Sequence, residues 1–263
     1  AVSLALGGEY RKDYQYFQPD FASLITDPNQ GTCLTSTDAC ASASSGELSV
    51  KEIYAEFFIP VLRDVFLAKS LNFTIGSRYS DYSAFGDTTN SKFGLEWRPI
   101  DDVLVRGTVA EVFRSPTISD LYGGITPSAD TYRDPCDDLV PGDSRLNNPA
   151  CRGLAAGFSQ TTQQTQSLQG SNENVLPESG KSFTWGVVYD PNWLEGFSTS
   201  VDIWRVYLVD TIGALGTQNI LDQCFINGNY CNLFTREGQT GDVNFVNNTT
   251  QNVGRIDTSG IDI

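Results

Sequence analysis

The sequence predicts an all-β protein: an antiparallel up-and-down transmembrane β-barrel architecture with about eight strands and long extracellular loops. Three observations predict it. Apolar and polar residues alternate with period two over many short runs, which gives each strand one apolar and one polar face. The connections between those runs go long, short, medium, short, long, short, long, the pattern of a meander whose short turns gather at one end. Aromatics make up 11% of the chain and charged residues 19%, with 24 Gly and many Ser and Thr, a balance that favours strand over helix.

The clearest runs lie between Ala68 and Tyr122. Leu71, Phe73, Ile75 and Tyr79 share one face of a strand over about 70–82. Phe93, Leu95 and Trp97 do so over about 90–98, and Val103, Val105 and Val109 over about 102–114. Arg98 to Asp102 is a tight connection in which Pro99 fixes φ, and Asp81 to Asn90 is a polar loop of medium length. Upstream, residues 1–11 read as a strand with Val2, Leu4 and Leu6 on one face, 12–46 as a long loop, 47–61 as a second strand and 62–69 as a short turn. Downstream, 115–179 is the longest loop, and strands follow at about 180–190 and 196–209. A third long loop, 210–248, has one or two helical turns expected within Ala214 to Asp222, and a last strand starts near Thr250. Tyr79, Tyr82, Trp97, Tyr189 and Trp193 fall near strand ends, where an interfacial girdle would place them.

The net charge of −15 repels a nucleic-acid backbone and an anionic lipid surface. No run approaches the ~18–20 apolar residues of a membrane helix, which leaves barrel strands open, since these need only ~9–11 residues with one apolar face. Six cysteines in neighbouring couples point to an oxidising compartment. Each couple lies inside one long loop, so Cys33–Cys40, Cys136–Cys151 and Cys224–Cys231 are the expected disulfides. With no His and no C-x2-C spacing, neither a metal nor a cofactor is expected.

Gly76–Pro99 (GSRYSDYSAFGDTTNSKFGLEWRP), Leu104–Tyr122, Leu176–Pro191 and Gly196–Ile212 (GFSTSVDIWRVYLVDTI) resemble, in order, the barrel domain of TonB-dependent outer-membrane receptors. The resemblance implies a Gram-negative outer-membrane protein that binds a scarce solute and imports it with energy from TonB. The solute stays open among siderophore, cobalamin, oligosaccharide and peptide. Partners implied are outer-membrane lipid, the small-molecule or oligomeric substrate, and TonB acting through a plug domain. Residues 1–263 then form an internal part of one barrel domain, with the plug and the remaining strands outside this sequence. Phe113-Arg114-Ser115-Pro116 matches the family pattern where a strand leaves the membrane, which implies a strand-to-loop role for Arg114.

Arg78, Arg106, Glu52, Glu56 and Asp202 fall on the polar parity of their strands, where they either pair with one another or with the plug, or touch solute. Tyr122 and Tyr132, with Tyr14, Tyr16, Phe17 and Phe225, are candidates for a ligand-stacking rim or for loop packing. Asp134, Asp137, Asp138 and Asp143 form an acidic cluster without the regular spacing of a calcium loop. Glu111 falls on the apolar parity, which a bulge near Gly107 or a position above the membrane would explain. Without His there is no His-based triad, and catalytic residues are not expected. The rival architecture is a soluble extracellular β-sandwich, an adhesin or carbohydrate-binding module, whose apolar faces would pack on each other. A secreted β-rich hydrolase using Glu52 and Glu56 is a third reading.

Overall fold

The computed structural model describes residues 1–26, 33–34, 40 and 42–263. Five strands come first: β1 (Ser3–Phe17), β2 (Ser44–Val65), β3 (Ala68–Tyr82), β4 (Gly86–Ile100) and β5 (Val103–Arg114). They lead to helix α1 (Ile118–Tyr122) and strands β6 (Ile125–Thr131), β7 (Gln164–Gly170), β8 (Glu178–Tyr189), β9 (Thr199–Val209) and β10 (Ile212–Gly213). Helix α2 (Thr217–Asn227) precedes β11 (Phe234–Arg236), β12 (Val243–Thr249), β13 (Gln251–Asn252) and β14 (Arg255–Asp262).

Among the described residues, eight strands form one sheet in the order β1-β2-β3-β4-β5-β8-β9-β14, and every neighbouring pair is antiparallel. β1 and β14 are its edges, so the sheet is an open section of wall. One concavity draws its lining from seven strands on a single face, so the sheet curls toward that face. Cross-strand partners Leu6 and Ala55, Phe57 and Ile75, Ile75 and Phe93, Phe93 and Val109, Trp185 and Ile203 carry the apolar parity onto the convex face. There Leu6, Ile53, Phe93, Ile203 and Ile261 are all more than half exposed, and among the described residues nothing packs over them. A sandwich would have covered that face. A continuous apolar belt this wide fits lipid instead.

Both prolines in the eight-stranded sheet sit at register shifts. Pro60 pairs with Asn72 and then Leu62 with Leu71; near Pro99 the pairing jumps from Trp97–Val105 to Ile100–Val103. A residue without an N–H cannot serve a ladder on that side, and a bulge absorbs the gap. No shift occurs at Gly107, where a Cβ would strike the Trp185 ring. Glu111 keeps the convex parity and lies toward the long-loop end, opposite Lys181, with Oε2 accepting from Ser91 N at 2.9 Å.

Several boundaries differ from the sequence reading. β1 runs to Phe17 and β2 begins at Ser44, so Tyr14, Tyr16 and Phe17 belong to a long hairpin projecting beyond the belt. The medium loop is a turn over 83–85, because Thr88 and Thr89 continue the ladder with β3. Tyr82 is buried against Phe85 and Phe113, so it is a packing residue and not part of a girdle. Trp97, Tyr189 and Trp193 do mark the short-turn end, where Trp97 Nε1 donates to Leu67 O at 2.9 Å and Trp193 Nε1 to Tyr189 OH at 3.2 Å. The last strand starts at Arg255, later than expected, because 243–252 pairs elsewhere.

The largest difference lies in the two longest loops, which fold together. β6 pairs with β7, β7 runs parallel to β12, and β12 pairs with β11, forming a second sheet that caps the long-loop end. A parallel pair needs a crossover, and here the β8–β9 hairpin of the wall provides it. Two apolar clusters lie inside this cap. A third joins it to the wall, where Leu121 and Val175 pack on Leu48, Val50 and Tyr82. The expected helical turns appear as α2, displaced toward the C-terminus and ended by Gly228 in the left-handed conformation (φ 70°). The three expected disulfides are present among the described residues, and Cys136–Cys151 and Cys224 sit in one fully buried cluster.

If the convex face meets hydrocarbon, Ile75→Arg will destabilise the folded protein by roughly 2–4 kcal/mol while Thr74→Arg, on the concave face, will not. Reversible unfolding from detergent into denaturant reads both, and equal costs would invert the assignment of faces.

Candidate functional site

The concave face is the candidate site. Its central depression has a volume of about 920 Å³ and is lined by Glu56, Lys92, Glu96, Arg106, Asp202 and Trp204, among others. Alternation puts these side chains inward, and the ladder fixes their heights. Glu56, Gly76 and Lys92 lie in one row across β2, β3 and β4; Arg106, Gly186 and Asp202 lie in another across β5, β8 and β9.

Each row holds an ion pair that spans a glycine. Lys92 Nζ reaches Glu56 Oε2 at 2.6 Å over Gly76. Arg106 binds Asp202 with two parallel bonds, Nε to Oδ1 at 2.9 Å and Nη2 to Oδ2 at 2.6 Å, over Gly186. A Cβ on Gly76 would press on the Lys92 chain, and one on Gly186 would occupy the place of the Asp202 carboxylate. Glycine is required at Gly186, and at Gly76 it lets the Lys92 chain lie flat along the wall. The bidentate geometry also fixes the guanidinium plane, which a lysine could not do.

Nearer the cap, Glu52 is buried. It accepts from Ser80 Oγ at 2.5 Å, and Arg78 Nη1 stands 3.5 Å from it while lying 5.2 Å above the Tyr54 ring. Gly7 leaves room for that ring on β1. Arg114 joins the wall to the cap, with Nη2 at 2.5 Å from Glu178 Oε1 and Nη1 at 3.7 Å from Asp120. Of the wall residues expected from sequence, Glu52 and Arg78 meet, Arg106 and Asp202 meet, and Glu56 meets Lys92. Lys92 was missed, as was Glu178; the signal for Lys92 was its parity with Arg78 and Arg106, one strand away.

The loop tyrosines divide. Tyr122 is half-buried and lies over Gly46, where a Cβ would strike its ring. Tyr132 is 5% exposed inside the cap, within 3.4 Å of Val243 O, and burial pushes its phenol up to about 12. It therefore packs the cap core and presents no surface to a rim. Phe225 packs against the disulfide cluster. Tyr14 and Tyr16 are exposed at the hairpin tip.

The acidic cluster is filled by arginines. Arg145 donates to Asp143 and to the carbonyls of Pro135, Asp137 and Asp138. Arg236 forms a buried two-bond pair with Asp134, Nη1 to Oδ2 at 2.5 Å and Nη2 to Oδ1 at 2.9 Å. Two further carboxylates hold the cap from within. Burial works against ionised Asp130, but hydrogen bonds from Thr217, Ser167, Ser128 and Gln169 outweigh it and bring its pKa below 3.8. Asp242 is likewise lowered, burial being overcome by Thr161 and Thr240.

A family model for the TonB-dependent receptor-like β-barrel matches residues 1–263, the whole chain. Among solved structures, the ferric enterobactin receptor of Pseudomonas aeruginosa in complex with enterobactin is similar at 14% identity and a TM-score of 0.61, over 99% of this chain and 30% of that one. The siderophore receptor PirA of Acinetobacter baumannii is similar at 15% identity and a TM-score of 0.58, over 99% of this chain and 31% of that one. PirA of Pseudomonas aeruginosa gives 13% identity and a TM-score of 0.54, over 99% and 35%. The chain thus spans about a third of the length of the solved receptors it resembles. No curated protein sequence matches it.

Two outcomes are expected. Gly186→Val will separate Arg106 from Asp202, so that their coupling in a double-mutant cycle falls to near zero. An unchanged coupling would mean the pair does not cross that glycine. Because Asp130 and Asp242 titrate below 3.8 in the folded cap, the stability they add is complete at neutral pH and is lost as pH falls through about 4 and below. Proteolysis of the cap segments as a function of pH reads this, with accessibility expected to rise on acidification.

Proposed function

This chain belongs to the TonB-dependent receptor family, matching its β-barrel over residues 1–263, and we propose that it forms one section of the wall and outer cap of an uptake receptor. The family's barrels lie in the outer membrane of Gram-negative bacteria, where long loops face outward and short turns face the periplasm. The cap then stands outside the cell, where disulfides persist. Further strands complete the barrel, and a plug domain carries the link to TonB.

One observation supports this reading above the others: the eight-stranded sheet leaves its apolar face uncovered and lines its concave face with charged pairs. Such a wall suits lipid on one side and a watery passage on the other. In this reading the wall offers Arg78, Lys92, Arg106 and Trp204 to a passing solute, and the paired carboxylates Glu52, Glu56 and Asp202 hold those cations in place. No bond is made or broken in the solute. Binding drives uptake only through different contacts in the loaded and unloaded states.

A ferric siderophore is the solute to test first, since the receptors of similar fold carry that role in their own right. Cobalamin, an oligosaccharide and a peptide are the alternatives. The test is uptake of radiolabelled solutes by cells lacking the full-length receptor and by cells lacking TonB. Loss of ferric-siderophore uptake in both supports the whole reading. Loss of cobalamin or oligosaccharide uptake instead changes the solute and keeps the transport. Uptake of every solute at the parental rate in both strains overturns it.

A further inference from the structure

Two loops that leave a barrel at different strands can act separately, each closing on a solute by itself. The contacts made by 115–177 and 210–254 leave little room for that. β7 and β12, one from each loop, form five consecutive parallel partnerships from Phe245–Gln166 to Thr249–Gly170. The core that contains Tyr132 from the first loop takes Ile220, Leu221, Leu233, Val243 and Val246 from the second. The disulfide cluster takes Cys136, Leu139, Ala150, Cys151 and Phe158 from the first and Cys224 from the second. Each loop supplies most of one core, and each core is completed by a buried side chain from the other loop, Cys224 in one and Tyr132 in the other.

Polar contacts repeat the pattern at both ends of the cap. At one end Asp134, whose side chain is fully buried, is neutralised by Arg236, whose Nε also donates to Ala150 O at 3.1 Å. Rings of Phe158 and Phe234 lie 5.8 and 5.6 Å from that guanidinium, one from each loop. At the other end Thr217 Oγ1 donates to Asp130 Oδ2 at 2.5 Å. Between them Asn148 Nδ2 donates to Phe225 O at 2.7 Å, and Gln218 exchanges two bonds with the backbone of Arg133.

We propose that the two longest loops are one lid, a single cooperative unit assembled before any solute arrives. Opening either loop exposes the shared core and strands a buried charge, so both open together or not at all. The compliant parts are the chain crossings between cap and wall. The latch is the apolar contact of Leu121 and Val175 with Leu48, Val50 and Tyr82 on the concave side of the mouth. A solute entering on this side must displace the lid as a body. This inference stands or falls apart from the choice of solute.

Hydrogen exchange by mass spectrometry on the full-length receptor in detergent tests it. Peptides from β6, β7, α2 and β12 are expected to share one opening equilibrium, distinct from that of β3 and β4. Arg236→Met should raise exchange in all four, on the order of 10²-fold, while β3 and β4 stay unchanged. Thr217→Val, a milder change at the far end, should raise the same four by roughly tenfold, and it decides the matter if Arg236→Met fails to assemble. Faster exchange confined to peptides touching the substituted residue overturns the proposal. So does wild-type α2 and β12 exchanging independently of β6 and β7.

Discussion

A sheet one strand thick cannot bury its own apolar face. That constraint runs through the whole molecule. Period-two alternation divides each strand between two surroundings, and the wall has no second layer to supply either. The convex face accordingly keeps Leu6, Ile53, Phe93 and Ile203 open over several strands, which is tolerable only against lipid. The concave face takes the ion pairs of Glu56 with Lys92 and Arg106 with Asp202. The apolar cores that a soluble domain would keep between its layers lie instead in the cap and where the cap meets the wall.

The concave face solves a related problem. Charges facing a narrow passage must stay solvated or be paired, and long side chains must not block the way. The ion pairs of Glu56 with Lys92 and Arg106 with Asp202 lie along the wall because the intervening strand offers glycine. The same device seats Tyr54 over Gly7 and Tyr122 over Gly46. Residues that look like strand-weakening glycines are spaces reserved for neighbours. Their use ties the electrostatics of the concave face to its shape.

In the cap, the cost of ordering long loops is met by joining them. A loop of this length without structure of its own would be expensive to hold in one arrangement. Two such loops share a sheet, a buried ion pair and a disulfide-filled core. The acidic segment around Asp134 to Asp143 then makes sense without a bound cation, since Arg145 and Arg236 supply the positive charge. The cap also reaches inward, where Leu121 of α1 packs on Leu48, Val50 and Tyr82 of the wall.

The sequence by itself determined the strands, their faces and the loop disulfides. These depend on spacings of two residues, or on cysteines 7 and 15 positions apart, so local pattern is enough to read them. It also put Arg78, Arg106, Glu52, Glu56 and Asp202 on the inner parity, because parity is a local property. Which charge meets which was decided by register between strands, and Arg106 lies 96 positions from Asp202. The joining of the two loops into one cap was decided by the tertiary structure. Asp134 and Arg236 are 102 positions apart, and Tyr132 gives no sign in its own neighbourhood that strands from another loop will bury it. Periodicity reports which side of a strand a residue takes; it carries no information about which distant segment arrives to cover it.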